Sequence, residues 1–389
     1  MHTSKKLVQI KGDRHSLNAC LIGYGRVGKV TASILTRDYN VDLLVFDASG
    51  HRVEEARERG LEARLADVSN PSVAARIAAE CDIVVAALPS RIAERVVSRL
   101  IEAGANVIVD VSYVADPMIF HRPAVEHGVK VFVDAGLAPG FSNMLAKRVE
   151  SRLDRVDKLF IYVGGISADK DDFLGLVASW AVDDLVEEYT RKARARIAGE
   201  EKLLDPIWDA VRIELPGLGQ FDALPTDGLR TLLRSLARVP TLVEYTIRYP
   251  GHVELLRSLH RLGMFDNKPH VVAGCAISPR DVFVRLLEDH LPRNGDRVIL
   301  HIEAEGEKNG YWAKLSYTLD VTQEDLEIDV PVLTYLTGLV HAWTTIQAMK
   351  GYGHPGVNVP EELAQKLEEL EKFLHSKGIY IHKRYCYEY

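Results

Sequence analysis

The sequence predicts an α/β protein built on a doubly wound parallel sheet. Three observations carry this. The first 135 residues alternate short apolar runs with amphipathic segments. The runs are apolar on both faces, as strands covered by helices on two sides must be. The first run also leads into Gly23, Gly25 and Gly28, a G-x-G-x-x-G spacing that opens a helical segment.

The elements follow in order. "ACLIG" is the first strand, and Gly23 permits the tight turn after it. Gly25 lets backbone approach a pyrophosphate, and Gly28 lets helix pack on strand. Arg26 and Val27 stand between them at a helix N-terminus, whose free N–H groups and positive dipole end suit phosphates. "DLLVFD" is the second strand and ends in Asp47, 19 residues beyond Gly28. A carboxylate there accepts hydrogen bonds from the adenine-ribose hydroxyls and repels a 2′-phosphate, so NAD is favoured over NADP. His51 and Arg52 nearby soften that choice.

"EARLADV" is a weaker third strand. Its last residues, Asp67 and Val68, either meet the adenine edge or simply end the strand. Helical patterns at Val53 to Arg59 and Ile92 to Ala103 fill the intervals. "IVVAAL" follows, with Leu88 and Pro89 at its carboxyl end as expected cofactor contacts. "NVIVDV" ends in Ser112 and Tyr113, and ligands of open parallel sheets sit at such carboxyl ends, so both face the cleft. "KVFVDAG" ends in Asp134, which is either a site residue or an acceptor for its own loop. Gly136, Pro139 and Gly140 then make a turn, and Ser142 or Asn143 caps the next helix.

Beyond residue 150 the pattern changes. "KLFIYVGGI" is a strand whose glycine pair allows close approach of a ligand. "LGLVASWAVDDLVEEYT" has helical apolar spacing at Leu176, Trp180, Val182 and Leu185, with Trp180 either core or site. "RYPGH" ends an apolar stretch with a turn, leaving Arg248 near an element's end. Arginine suits an amino-acid carboxylate, which it grips with two parallel hydrogen bonds. Asn309-Gly310 supplies the turn of a hairpin between "RVILHIEAEG" and "YWAKLSYTLDV". Leu333 to Met349 reads as a helix. The tail starts another helix at Pro-Glu-Glu, returns to a strand-like "IYI", and is expected to pack on the first domain.

Composition excludes several classes. The 389 residues carry 48 Lys and Arg against 55 Asp and Glu, a balance that gives nucleic acid or an anionic membrane no general attraction. No apolar run approaches the roughly 20 residues that span a bilayer. The start, "MHTSKKLVQIKGDRHS", is basic but lacks the apolar core of a secretory signal. Cys20, Cys81, Cys275 and Cys386 have no metal spacing, and the expectation is a reduced, cytoplasmic chain with neither disulfides nor a zinc site. The 14 histidines form no metal-binding motif, so no metal is expected; His252 in "RYPGH" reads as a satisfied surface or interface residue.

The runs "GYGRVG", "ALPSRIAERVVSRLIEAGANVIVDVSYVADP", "DAGLAPGFSNMLA" and "VGGI" resemble the saccharopine dehydrogenase-like oxidoreductases. "ASWAVDDLVEEYTRKARARIAGE", "LPTDGLRTLL" and "EYTIRYPGHVELLRSLHRLGMF" are similar to one branch, the lysine 6-dehydrogenases. The resemblance is good over residues 18 to 275 and loose beyond.

It implies a Rossmann-type domain, residues 1–134 completed by 331–389, joined to a second α/β domain with a mixed sheet at 135–330. A homodimer or dimer of dimers is implied as well. So is NAD-dependent oxidation of the ε-carbon of L-lysine, a small amino-acid substrate, to the semialdehyde, which cyclises, with release of ammonia. The resemblance assigns substrate contacts to Ser112, Tyr113, Asp134, Arg230 and Arg248, and sets Ser179 and Trp180 beside the nicotinamide. Asp134 or Tyr113 would carry the amine proton away. Two alternatives are a saccharopine or carboxynorspermidine dehydrogenase and a non-catalytic NAD-binding regulatory protein.

Overall fold

A computed structural model describes residues 17–388; the basic start lies outside the described residues. The chain divides into two compact units. One runs to Gly136 and takes in Thr337–Val359, and the other holds Leu137–Leu336 and the chain from Pro360 on.

The strands are, in chain order, β1 (Ala19–Ile22), β2 (Leu43–Asp47), β3 (Glu62–Leu65), β4 (Ile83–Ala86), β5 (Val107–Asp110) and β6 (Lys130–Phe132). Next come β7 (Arg155–Ser167), β8 (Ala193–Ile197), β9 (Glu200–Leu204), β10 (Val211–Leu215), β11 (Gly219–Pro225) and β12 (Thr241–Arg248). The last are β13 (His270–Val272), β14 (Cys275–Ile277), β15 (Asp296–Lys308), β16 (Tyr311–Thr322), β17 (Gly356–Asn358) and β18 (His382–Glu388).

In the first unit the described strands form one sheet in the order β17-β6-β5-β4-β1-β2-β3, and every pairing is parallel. The order reverses between β1 and β4, the switch point outside which such sheets bind ligands. The central strands β1 and β4 are buried along their whole length, so both of their faces must be apolar, as the sequence shows. Helices Arg26–Tyr39, Gly50–Glu58 and Ser90–Glu102 fall where the amphipathic segments stand.

Cys20 and Cys81 are joined by a disulfide, with Cα atoms 5.8 Å apart. This corrects the expectation of a chain without disulfides. Parallel pairing sets Ala19 against Ile83, so residues 61 apart in sequence meet in one apolar layer. Cys275 and Cys386 are free and exposed.

The C-terminal part of helix Val332–Met349 belongs to this unit. His341 is buried there, its Nδ1 3.1 Å from the Thr31 hydroxyl and its Nε2 3.1 Å from the Val109 carbonyl. A carbonyl can only accept, so Nε2 carries the proton and Nδ1 accepts from Thr31. Burial pushes the imidazole pKa down to about 4. A histidine with a depressed folded pKa contributes its full stability above the unfolded value and loses it as pH falls toward the folded one. Between pH 6.5 and 4, His341 should therefore cost about 1.4 kcal/mol per pH unit. Urea unfolding across this window should show that slope, and His341→Gln should flatten it. An unchanged slope would mean that the ring is charged in the folded protein.

The second unit holds a mixed sheet in the order β10-β11-β12-β7-β15-β16-β18, with β8 and β9 joined at β12. Asn309 and Gly310 both have positive φ and close the β15–β16 hairpin, as their sequence requires.

Three expectations need correction. Only Thr337–Val359 of the C-terminal segment completes the first unit; from Pro360 on, the chain joins the second, because β18 pairs with β16. The last strand is His382–Glu388 and not the earlier "IYI". Leu176 to Trp180 is irregular, and the helix there is Val182–Thr190. The Ala178 N–H is tied to the Pro292 carbonyl, 2.8 Å away, which no helix would permit. No helix among the described residues is long and apolar enough to cross a membrane.

Candidate functional site

In the first unit the glycine turn meets the demands of a dinucleotide. Gly23 has φ +94, and a Cβ there would stand 2.3 Å from the Ala87 carbonyl oxygen. One on Gly28 would be 2.1 Å from the Gly23 carbonyl oxygen. Both positions exclude any side chain. Gly25 differs, because the nearest atom to its added Cβ is an Arg52 nitrogen at 4.0 Å. It caps helix Arg26–Tyr39 without a side chain, and the first turn carries no acid. The open space and the N-terminal N–H groups fit a pyrophosphate. Arg26 is exposed and Val27 half-buried at that turn.

Asp47 is buried at the end of β2. Its Oδ2 accepts the Tyr24 N–H at 2.7 Å and its Oδ1 the Ser49 N–H at 2.8 Å. These bonds fix the carboxylate, and each oxygen keeps a lone pair for a ribose hydroxyl. Arg52 stands 3.6 Å from Oδ2 and is half exposed.

Asp67 is exposed and accepts the Ser69 N–H at 2.9 Å; the Ser69 hydrogen bonds hold its pKa below the usual range. Val68 is packed in the apolar core, so its side chain is a core residue.

Leu88 and Pro89 follow β4, and the Leu88 N–H donates to the Ser112 hydroxyl at 2.9 Å. Ser112 in turn donates its N–H to Asp110 Oδ1 at 3.0 Å. Asp110 is a further buried acid of the site, and it closes "NVIVD" as Asp47 closes "LLVFD". It sets Ser112 at the joint between the two strand ends. Tyr113 is half-buried beside it.

Backbone strain singles out two of the expected site residues. Eight non-glycine residues with positive φ lie among the described residues, and of these only Asp134 (φ +51) and Arg230 (φ +53) are buried. Residues other than glycine adopt this conformation at a cost of order 1–3 kcal/mol, and such strain gathers at functional sites.

The second unit holds a closed chain of polar contacts. Arg248 is fully buried; its Nη2 donates to Glu188 at 3.1 Å, Nη1 to the Ile247 carbonyl at 3.0 Å and Nε to the Tyr189 hydroxyl at 3.4 Å. His252 Nδ1 lies 3.2 Å from the Leu174 carbonyl and must donate to it, so Nε2 accepts from the Tyr189 hydroxyl 3.0 Å away. Burial, aided by the Arg248 charge, pushes the His252 pKa down to about 3, and the ring is neutral. His252 is thus buried rather than a surface residue.

Burial also raises the Glu188 pKa, against the pull of Arg248. Glu188 is a third exposed, and its carboxylate occupies the guanidinium expected to grip substrate. Sequence gave no signal of this pair, whose members are 60 residues apart.

Ser179 is buried and its hydroxyl has no hydrogen-bond partner among the described residues, while its carbonyl accepts from Thr334 at 2.6 Å. A buried hydroxyl without a partner is an unmet hydrogen-bonding demand, of the kind a ligand or a water satisfies. Trp180 is half-buried with its ring against Gly165, where a Cβ would approach to 3.4 Å. The closer neighbour is Leu333, whose Cδ2 would stand 2.9 Å from that Cβ, so this member of the "GG" pair makes space for Leu333 first. Around Arg230, Asp227 receives two parallel bonds from Arg194, both 2.9 Å. Thr231 donates to Glu361 at 2.8 Å. The "TDGLRT" loop is therefore fixed at both ends. No group of residues that could hold a metal ion occurs among the described residues.

The profile of the Saccharopine dehydrogenase C-terminal domain matches residues 136–379, and that of the TrkA-N domain matches residues 19–130. The chain is 25% identical over 267 residues to saccharopine dehydrogenase [NADP(+), L-glutamate-forming] of Saccharomyces cerevisiae, covering 64% of this chain and 59% of that one. It is 24% identical over 273 residues to alpha-aminoadipic semialdehyde synthase of Arabidopsis thaliana, 66% of this chain and 25% of that one. The matches thus span less than two thirds of either relative. The apo structure of the Saccharomyces cerevisiae L-Glu-forming saccharopine dehydrogenase superposes with a TM-score of 0.77 at 19% identity, covering 95% of this chain and all of the other. At that identity the likeness is one of fold.

Proposed function

The chain belongs to the saccharopine dehydrogenase-like oxidoreductases, and from that premise we propose that it oxidises the ε-amino carbon of L-lysine with NAD, releasing ammonia and the 6-semialdehyde. The observation that carries the reading is the pair of buried, strained, charged residues, Asp134 and Arg230, in a chain with an intact dinucleotide turn.

A nicotinamide dinucleotide, when bound, supplies the two-electron acceptor. Gly23, Gly25, Gly28, Asp47, Leu88 and Ser112 would hold it. The rest falls to this chain's side chains. A lysine ε-ammonium has a reference pKa of about 10.4 and must lose a proton before its carbon can be oxidised. Burial against Trp180 would favour the neutral amine. Asp134 or Tyr113 takes the proton, and Arg230 and Arg248 hold the α-carboxylate. Arg248 can do so only when Glu188 yields to the incoming anion.

NAD is the proposed cofactor because of Asp47. Replacing Asp47 with Ser should lower kcat/KM for NAD and raise it for NADP, since Arg52 is within 3.6 Å and would meet a 2′-phosphate. An unchanged NAD-to-NADP ratio would remove Asp47 from the ribose.

A second reading is a saccharopine dehydrogenase. It is favoured by the names of the relatives and by that same Arg52, since the yeast relative is named for NADP. A screen of L-lysine, saccharopine, ornithine and carboxylated polyamines, each with NAD and NADP, separates the two. NADH from lysine alone supports the proposal; reduction of NADP by saccharopine would replace it. Binding of NADH without turnover of any amine would mean a regulatory protein.

A further inference from the structure

Asp296 opens β15 and is fully buried. Its carboxylate reaches the start of helix Val332–Met349, where Oδ1 accepts the Val332 N–H at 2.6 Å and Oδ2 the Leu333 N–H at 2.9 Å. The helix cannot cap itself. Pro331 stands at its N-cap, the carbonyl accepting the Tyr335 N–H at 2.9 Å, and a proline side chain has no oxygen for the first N–H groups. A carboxylate also suits the positive end of the helix dipole.

The two residues that follow Val332 touch the Ser179 loop. Thr334 is buried and donates its hydroxyl to the Ser179 carbonyl at 2.6 Å. Leu333 lies against Gly165, the same glycine that the Trp180 ring meets. The loop is held from a second side, because the Ala178 N–H bonds the Pro292 carbonyl in the turn that leads to Asp296. All of these residues belong to the second unit. They surround a stretch that carries one buried hydroxyl without a partner among the described residues and one half-buried indole.

On the reading that Trp180 packs against the reacting amine, we propose that Asp296 and Thr334 are positioning residues. Asp296 pins the first turn of the helix. Through Leu333 and Thr334, that turn sets the Trp180 ring and the Ser179 hydroxyl where they meet the ligand.

The full chain labelled with fluorotryptophan tests this without cofactor. Its fluorine NMR spectrum reports Trp180, Trp208, Trp312 and Trp343, and Trp180→Phe assigns the first. Asp296→Asn keeps the size but offers one acceptor oxygen in place of two. Thr334→Val removes only the hydroxyl. Each should shift or broaden the Trp180 resonance and leave Trp343, on the same helix, in place. Thr334→Ser keeps the donor and should restore the native spectrum. In turnover with lysine, Asp296→Asn and Thr334→Val should lower kcat about tenfold or more, since a misplacement of about 1 Å costs up to about 100-fold. KM should stay within about twofold, because Arg230 and Arg248 are untouched.

A Trp180 resonance unmoved in both variants would overturn the assignment. So would a Trp343 resonance that moves with it, which marks a helix disturbed as a whole, or a Thr334→Ser variant no better than Thr334→Val. If the native protein oxidises a different amine, the kinetics are run with that amine. If it oxidises none, the enzymatic reading fails, and the spectra alone decide the positioning.

Discussion

Gly28→Ala is expected to weaken NADH binding by about 10- to 100-fold and to lower thermal stability with it. The added methyl would stand 2.1 Å from the Gly23 carbonyl oxygen, so two backbone segments must part. Overpacking of this kind costs about 1–3 kcal/mol, and each 1.4 kcal/mol is a tenfold change in affinity. Gly25→Ala makes the contrast. Its methyl would meet only an Arg52 nitrogen at 4.0 Å, so the fold should be unharmed. Binding should still fall, because the methyl occupies the space left for the pyrophosphate. Calorimetric titration with NADH beside a melting curve separates the two variants. Full NADH affinity in Gly25→Ala would show that the turn holds no phosphate.

Arg248→Ala should have the larger effect on the second unit. It strips the partner from a carboxylate that is a third exposed and leaves the Tyr189 hydroxyl without one of its donors. Breaking a fully buried pair by removing one member costs about 3–5 kcal/mol, and the solvent that reaches Glu188 puts this pair below that range. Activity with lysine should fall with stability, and the single variant alone would not tell anchor from prop. Arg248→Ala combined with Glu188→Gln removes the stranded charge and should recover much of the stability. If Arg248 grips substrate, KM for lysine stays high in that double variant. Cadaverine, which lacks the carboxylate, should lose little further. A double variant with normal KM for lysine would make Arg248 a purely structural residue.

The parts of this molecule that sequence revealed are those whose physics is local. A strand buried on both faces must read as an apolar run, and a turn that admits no Cβ must read as glycine, so β1 to β6 and the Gly23–Gly28 turn were legible. The Asn309-Gly310 hairpin was legible for the same reason. What was hidden depends on distant partners. The Cys20–Cys81 bridge follows from the adjacency of β1 and β4, and no spacing of cysteines encodes it.

The Glu188–Arg248 pair is likewise a meeting of one helix end with one strand end. Leu176 to Trp180 carries helical spacing, yet the Pro292 carbonyl and the orphaned Ser179 hydroxyl belong to an extended loop. The tail conceals its strand because β18 is exposed on an edge, reads as polar, and so gives no apolar run. Asp110 is legible by the same rule as Asp47, an acid closing an apolar strand. Of the candidate site, the cofactor half could be read residue by residue, whereas the substrate half rested on the family resemblance.

The central claim is oxidation at the ε-carbon, and isotopic lysine tests it most directly. Single-turnover formation of NADH should be measured with lysine deuterated at C6 and, separately, at C2, across a range of pH. Because only the neutral amine reacts, rates should climb toward alkaline pH, and Asp134→Asn should flatten or displace that climb if the carboxylate takes the proton. The account predicts a slower single turnover with C6 deuterium, none of that slowing with C2 deuterium, and ammonia released with the cyclised semialdehyde. Slowing with C2 deuterium, with a 2-keto acid as product, would contradict it.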